Sequence, residues 1–189
     1  MFKVLTREVT SLLDLSELKS VLRIDWGEHD EMLADLEASC ISELEKYLKF
    51  PITKCTAVKR VRLATQGYIN EDPDKLELNK GFSFQSIPVN TVSEIRAIKS
   101  DGTYDTLQVT TDYTFDIVSN IVKLQNNNRY KLNGREYLEI YCNIGWTTEN
   151  IPSIVQNNIK SLAVHMYDKA DIPIPTKLYR PSANYRYYG

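Results

Sequence analysis

The sequence has little with which to do chemistry. It holds only two histidines, His29 and His165, and neither has a cysteine or acid at a recognisable motif spacing. A lone histidine of this kind is more often a satisfied turn or helix residue than a ligand or base. The seven glycines are scattered; there is no Gly-rich phosphate loop, no His-Glu-x-x-His and no Gly-x-Ser-x-Gly. Asp72 and Asp74 flank Pro73 without the regular spacing of a calcium loop. No catalytic set, cofactor or metal is therefore expected.

Other absences narrow the class. Three cysteines, Cys40, Cys55 and Cys142, are an odd number without metal-ligand spacing, so they are read as reduced thiols that pack. There is no signal-peptide core and no apolar run of about 18 residues, which excludes a helical membrane span from the expectation. A net charge of −2 gives no global case for nucleic-acid binding. Lys59, Arg60 and Arg62 form a small basic stripe on a strand candidate, without interleaved aromatics, and are read as a solvated strand face.

The charge that is present is uneven. Residues 1–50 carry 6 Lys/Arg against 11 Asp/Glu, and residues 151–189 carry 5 against 2. Such ends can meet complementary surfaces on partners or on copies of the chain. The chain is also long enough, at 189 residues, to bury a core unaided, since a domain of about 150 residues buries roughly 70% of its unfolded surface.

Periodicity divides the chain. Asp14-Leu-Ser-Glu17 reads as a capping box that opens a short helix to about Ile24. A longer helix, about 30–49, carries Leu33, Leu36, Cys40, Ile41, Leu44 and Leu48 on one face and Glu31, Asp35, Glu37, Glu43 and Glu45 on the other. From Ile52 the period becomes two. Strands are expected at about 55–64, 75–79, 92–99, 112–118, 121–124 and 137–144, with a turn at Ser100-Asp-Gly102 and a two-residue hairpin turn at Ser119-Asn120. Pro152 then opens a helix to about Lys169 that carries Ile154, Val155, Ile159, Leu162, Ala163, Met166 and Tyr167.

The fold class expected is α+β. Residues 1–51 and 146–171 make a helical core, 52–145 an inserted antiparallel β domain, and 172–189 an extended C-terminal arm. Pro173, Pro175 and Pro181 exclude helix from that arm, which holds Tyr179, Arg180, Tyr185, Arg186, Tyr187 and Tyr188. Tyr and Arg are enriched at protein contacts, so the arm reads as partner-binding. Because it lies outside both periodic helices, truncation after Ile172 is expected to change the melting temperature little.

The wording of both ends resembles a known family. Leu15-Ser-Glu-Leu-Lys-Ser-Val-Leu-Arg-Ile-Asp25, then His29-Asp-Glu-Met-Leu33 and a long helix to Tyr47, is similar to the N-terminal signature of head–tail connector (adaptor) proteins of tailed bacteriophages. Ile87-Pro-Val89, the Asp101-Gly102 turn, Tyr113 before a hairpin, Ile140–Gly145, Ile151-Pro152 and Ile159–Tyr167 follow in the same order. Trp146 and Thr147 after Gly145, and the tyrosine-rich end, depart from that pattern. The resemblance implies a structural virion protein with no catalysis and no cofactor. It implies a ring of copies, a dodecamer in most members, beneath the portal protein. That ring would meet a stopper or tail-completion protein and pass double-stranded DNA without sequence recognition. Under it, the arm reaches the portal, and Glu31, Asp35, Glu43 and Glu45 are candidate channel lining. The alternatives are a tail-completion or terminator protein and, from a different class, a small ligand-binding domain or enzyme with helical flanks.

Overall fold

The computed structural model describes residues 2–8, 10–25, 29–63, 75–76, 82–85, 87–125, 135–169 and 171–186. The Asp72–Asp74 loop, the Asn126–Asn128 and Asn133-Gly134 loops, Leu78 of the 75–79 strand candidate, Tyr187 and Tyr188 lie outside the described residues. The chain divides into two units: one holds Arg7–Lys54 and Trp146–Tyr187, the other Met1–Thr6 and Cys55–Gly145. The class is α+β, as the change of period announces.

The first unit is helical. Helix α1 (Leu15–Leu22) begins at Asp14, whose carboxylate accepts from Ser16 N, and stops at Arg23 in the left-handed region. Helix α2 (Asp30–Leu48) ends at Lys49, also left-handed, two residues ahead of Pro51. Helix α3 (Ser153–Asp168) follows Pro152, which sits in extended geometry at the cap. The three pack pairwise. Their shared core takes Leu18 from α1, Leu33, Cys40, Ile41, Leu44 and Leu48 from α2, and Val155, Ile159, Leu162 and Ala163 from α3. On α3 the buried stripe is thus narrower than expected: Ile154 and Tyr167 are exposed.

Glu37 leaves the acidic face to which its charge assigns it. Its carboxylate is buried, where Oε1 accepts from Leu12 N at 2.7 Å and Leu13 N at 2.9 Å, and Oε2 accepts from Ser11 Oγ at 2.9 Å. Burial of a charge is tolerable when several donors meet it. Glu37 thereby ties the segment before α1 onto α2.

The second unit is built on a sheet in the order β1-β2-β9-β5-β6, with β3 (Lys75–Leu76) parallel to the end of β2. Here β1 is Phe2–Arg7, β2 Cys55–Leu63, β5 Val89–Lys99, β6 Tyr104–Leu107 and β9 Arg135–Ile144. The first residues, expected to go with the helices, form β1 instead; a six-residue strand with one buried side chain carries no readable alternation. Strands β2 and β5 run antiparallel to β9 on either side. Ala57, Lys59 and Val61 share a buried face with Leu138, Ile140 and Cys142, and with Ile95 and Ala97.

That register corrects the basic stripe. Successive side chains alternate faces, so Lys59 is buried with its Nζ 5.5 Å from the Phe2 ring centre, while Arg60 points outward. Arg60 donates to Glu139 Oε1 at 2.6 Å and lies over the Tyr137 ring. A second sheet, β4-β8-β7, comprises Phe82–Ser83, Ile121–Leu124 and Tyr113–Asp116. Asp116 pairs with Ile121, so the turn spans residues 117–120 rather than Ser119-Asn120 alone. At the other turn Gly102 adopts φ +85°, and its N–H donates to Lys99 O.

Candidate functional site

The described residues that gather most of the singled-out side chains are the C-terminal segment and the helical surface beneath it. After α3 the chain makes a turn in which Ile172 N donates to Lys169 O at 3.0 Å. His165 Nε2 lies 3.2 Å from Ile172 O. The chain then passes through Pro173 and Pro175, and Pro175 is extended at φ −66°.

Beyond this point the segment is wound and seated, which corrects the extended arm. Two 3-10 turns, Thr176–Leu178 and Arg180–Tyr185, lie against α3, and the second also meets α2. Proline explains the form. Pro181 presets a helical φ near the start of the second turn, while lacking an N–H it cannot sit inside a long helix.

The seat is aromatic at its rim and polar at its centre. Tyr179 is 8% exposed and stacks on Tyr47 of α2, ring centres 4.8 Å apart at 18°. Burial first, then the nearby Glu43, pushes the Tyr179 phenol above its ordinary pKa. The Arg186 guanidinium lies over the other ring of that pair, 4.8 Å from the Tyr47 centre. Tyr185 meets Trp146 edge-on at 5.5 Å, and Trp146 in turn meets Phe50. In the middle Asn158 Nδ2 donates to Ser182 Oγ at 2.9 Å, with both residues buried. Among the described residues Asn158 Oδ1 finds no partner.

Of the arm residues singled out in the sequence, Tyr179 and Arg186 therefore hold the segment on Tyr47 of α2, Tyr185 holds it on Trp146, and Arg180 is exposed. Because Tyr179 and Ser182 are buried here, truncation after Ile172 would remove buried side chains, which runs against the nearly neutral truncation expected from the sequence. The acidic candidates separate. Glu31 and Asp35 are exposed, and Glu43 is half-buried and pairs with Lys46. Glu45 is spoken for: it binds Arg7 through two hydrogen bonds of 2.9 and 2.7 Å and accepts from Ile52 N at 2.9 Å.

Sequence reading missed Tyr47, Asn158 and Ser182. Two of the three carried a signal. Tyr47 follows Leu44 by three and Cys40 by seven on the buried stripe, and Asn158 falls between Val155 and Leu162 at the stripe's own spacing. A polar residue in such a position needs a buried partner. Among the described residues no three His, Cys, Asp or Glu gather as a metal site, and no helix is long and apolar enough to cross a membrane.

This is the architecture of an α+β chain with a small helical bundle, an inserted β unit and a docked C-terminal segment. No family model and no curated protein matches the sequence. Solved structures match its fold along nearly its whole length. A chain in the neck of an empty gene transfer agent particle, computed with C6 symmetry, superposes at TM-score 0.65. It shares 14% identity over 98% of this chain and 95% of its own. A chain from the neck of the native particle, computed with C12 symmetry, gives 0.62 at 14% identity, covering 98% and 94%. One from the virion of the native particle gives 0.59 at 14% identity, covering 98% and 95%. The chain has the fold of these neck chains, and the family resemblance read from its own motifs points the same way.

Proposed function

We infer that this chain is a structural, non-catalytic protein of the neck of a phage-like particle, acting as a head–tail connector. The observation that carries the reading is the fold likeness over 98% of the chain to a chain in a particle neck. In finer detail, copies form a closed ring beneath the portal protein and meet a stopper or tail-completion protein on the far side. The C6 and C12 symmetries of the similar necks support a ring, with twelve copies as its natural number. Closure of a ring requires a head-to-tail interface in which one face of each copy meets a different face of the next.

DNA passes such a ring without being held. Strong Lys/Arg contacts would add counterion-release affinity and retain the duplex. Glu31 and Asp35, both exposed on α2, suit a non-sticking wall better than Glu43 and Glu45, whose carboxylates are already paired. Portal contact falls to Arg180, which is exposed, and to Tyr187 and Tyr188, which follow it in the sequence.

The test is reconstitution. The chain mixed with purified portal should yield particles with an added ring under electron microscopy. Particles without extra density would reject the connector reading.

A further inference from the structure

We propose that Met166 is an oxidation site: a hydroperoxide converts it to a single sulfoxide epimer, because the Cys40 thiol screens one side of its sulfur, and the oxidised side chain loosens the packing of α2 on α3. The inference rests on one sulfur–sulfur contact and is independent of the neck reading.

The contact joins a sealed group to an accessible one. Cys40 Sγ donates to Met166 Sδ at 3.5 Å. Cys40 lies on the buried stripe of α2 and is 0% exposed, whereas Met166, near the end of α3, is half-buried. The sealed thiol is not the reactive member, since a thiol oxidises as its thiolate and needs access. A thioether needs no deprotonation, only an open lone pair.

A thioether sulfur has two lone pairs. The Cys40 S–H takes one of them, and the two sulfurs stand too close to admit an oxygen between them. The other lone pair is left to attack the peroxide. It bonds to the near oxygen, the O–O bond breaks, and the far oxygen leaves as hydroxide, which takes a proton to become water. The sulfur gives up two electrons and the peroxide gains them. With attack open on one side only, the new sulfoxide centre has one configuration.

The consequence falls on the seam between the helices. Leu44, one turn past Cys40, and Ala163, one turn before Met166, are both fully buried. Sulfoxide sulfur is electron-poor, so the buried thiol loses its acceptor, and the new oxygen must keep a hydrogen-bonding partner. Tyr179 stands beside this point: burial, then Glu43, then Cys40 push its phenol above the ordinary pKa. Loosening the seam here therefore reaches the ring that rests on Tyr47.

Met32, 42% exposed in the first turn of α2, is the internal control. Folded full-length protein is treated with hydrogen peroxide and digested with trypsin. The peptides carrying Met32 (residues 24–46) and Met166 (residues 161–169) are weighed before and after exposure to each of the two sulfoxide reductases, one enzyme per epimer. Met32 sulfoxide should be reduced in part by both enzymes, and Met166 sulfoxide by one alone. Oxidation of the urea-unfolded chain should give both epimers at Met166, and so should Cys40→Ala folded to native dichroism. The oxidised protein should melt a few degrees below the untreated one. Met166→Leu should remove that loss on peroxide treatment, and Met32→Leu should not. Both epimers at Met166 in the folded unaltered protein would overturn the proposal. So would a Met166 left unmodified when Met32 is fully oxidised, a Cys40→Ala variant that keeps the selectivity, or an oxidised protein with an unchanged melting curve.

Discussion

Glu37 and the three cysteines carry the sharpest consequences of single side chains. Glu37→Ala would leave the buried amides of Leu12 and Leu13 unpaired, a loss of about 2 kcal/mol or more. Glu37→Gln keeps an acceptor and should lose less. Urea unfolding followed by far-ultraviolet dichroism measures both, and equal losses would mean that packing, not hydrogen bonding, holds the segment before α1. Cys40, Cys55 and Cys142 are all buried. Burial pushes the Cys40 and Cys142 thiols up to about 12, with Glu37 adding to the effect at Cys40 and Cys55 at Cys142. The native protein should therefore be inert to Ellman's reagent at about pH 8, where an ordinary exposed thiol reacts readily. All three thiols should titrate after denaturation. The sign for stability follows. A raised folded-state pKa stabilises fully below the unfolded value of 9.0 and loses that contribution as pH rises from there toward about 12. The position of Glu37 was legible, since it lies four residues from both Leu33 and Ile41; its charge argued it onto the wrong face.

Elements were read well where they were long and periodic, and poorly where side chains redirect a turn. The period-3.6 stripe located α2 and α3, and the period-2 pattern located β2, β5 and β9. At the β7–β8 hairpin, Ile117 and Val118 have strand-forming side chains and were read as strand, yet both are exposed in the turn. The cause is Asp116. Its Oδ1 accepts from Val118 N at 3.0 Å and Ser119 N at 3.3 Å, and its Oδ2 accepts from Ser119 Oγ. These hydrogen bonds hold the Asp116 carboxyl below its ordinary pKa, the Ser119 hydroxyl most strongly. A depressed pKa means support that is present above the ordinary aspartate value and lost as pH falls through the depressed one. The Val118 and Ser119 amide resonances should shift with an acid midpoint below that of a free aspartate, and Asp116→Asn should abolish the titration. The C-terminal segment is the other element on which local reading failed. Prolines and tyrosines announced a contact-forming stretch, but Tyr47, the ring on which Tyr179 stacks, lies more than a hundred residues upstream. Truncation after Ile172 should now lower the melting temperature by several degrees, and Ser182→Val should do part of the same damage by leaving Asn158 without its partner. An unchanged melting curve for the truncated chain would contradict the seating.

At the scale of the whole molecule, the α+β class was legible. The proposed ring, partners and DNA path are not written in periodicity, because they would belong to surfaces that only other chains complete. Gel-shift assays should find weak, salt-sensitive DNA binding, since the exposed Arg60 and the half-buried Arg96 are already matched to Glu139 and Glu94. Tight, sequence-selective binding at physiological salt would contradict passive passage.

The point where the β unit leaves and rejoins the helical unit has one more meaning. Lys54 N donates to Trp146 O at 2.9 Å, Trp146 N donates to Ile52 O at 2.7 Å, and Thr53 and Trp146 form a parallel bridge. The two ends of the insertion are thus clasped by the host's own backbone, and the ninety-odd residues between them leave and return at one point. A gene that lost or gained this stretch in a single event would still encode a bundle with its ends in register. Replacing residues 55–145 by a short Gly-Ser bridge, which costs little closure entropy, should leave a shorter chain with the helical dichroism of α1 to α3 intact.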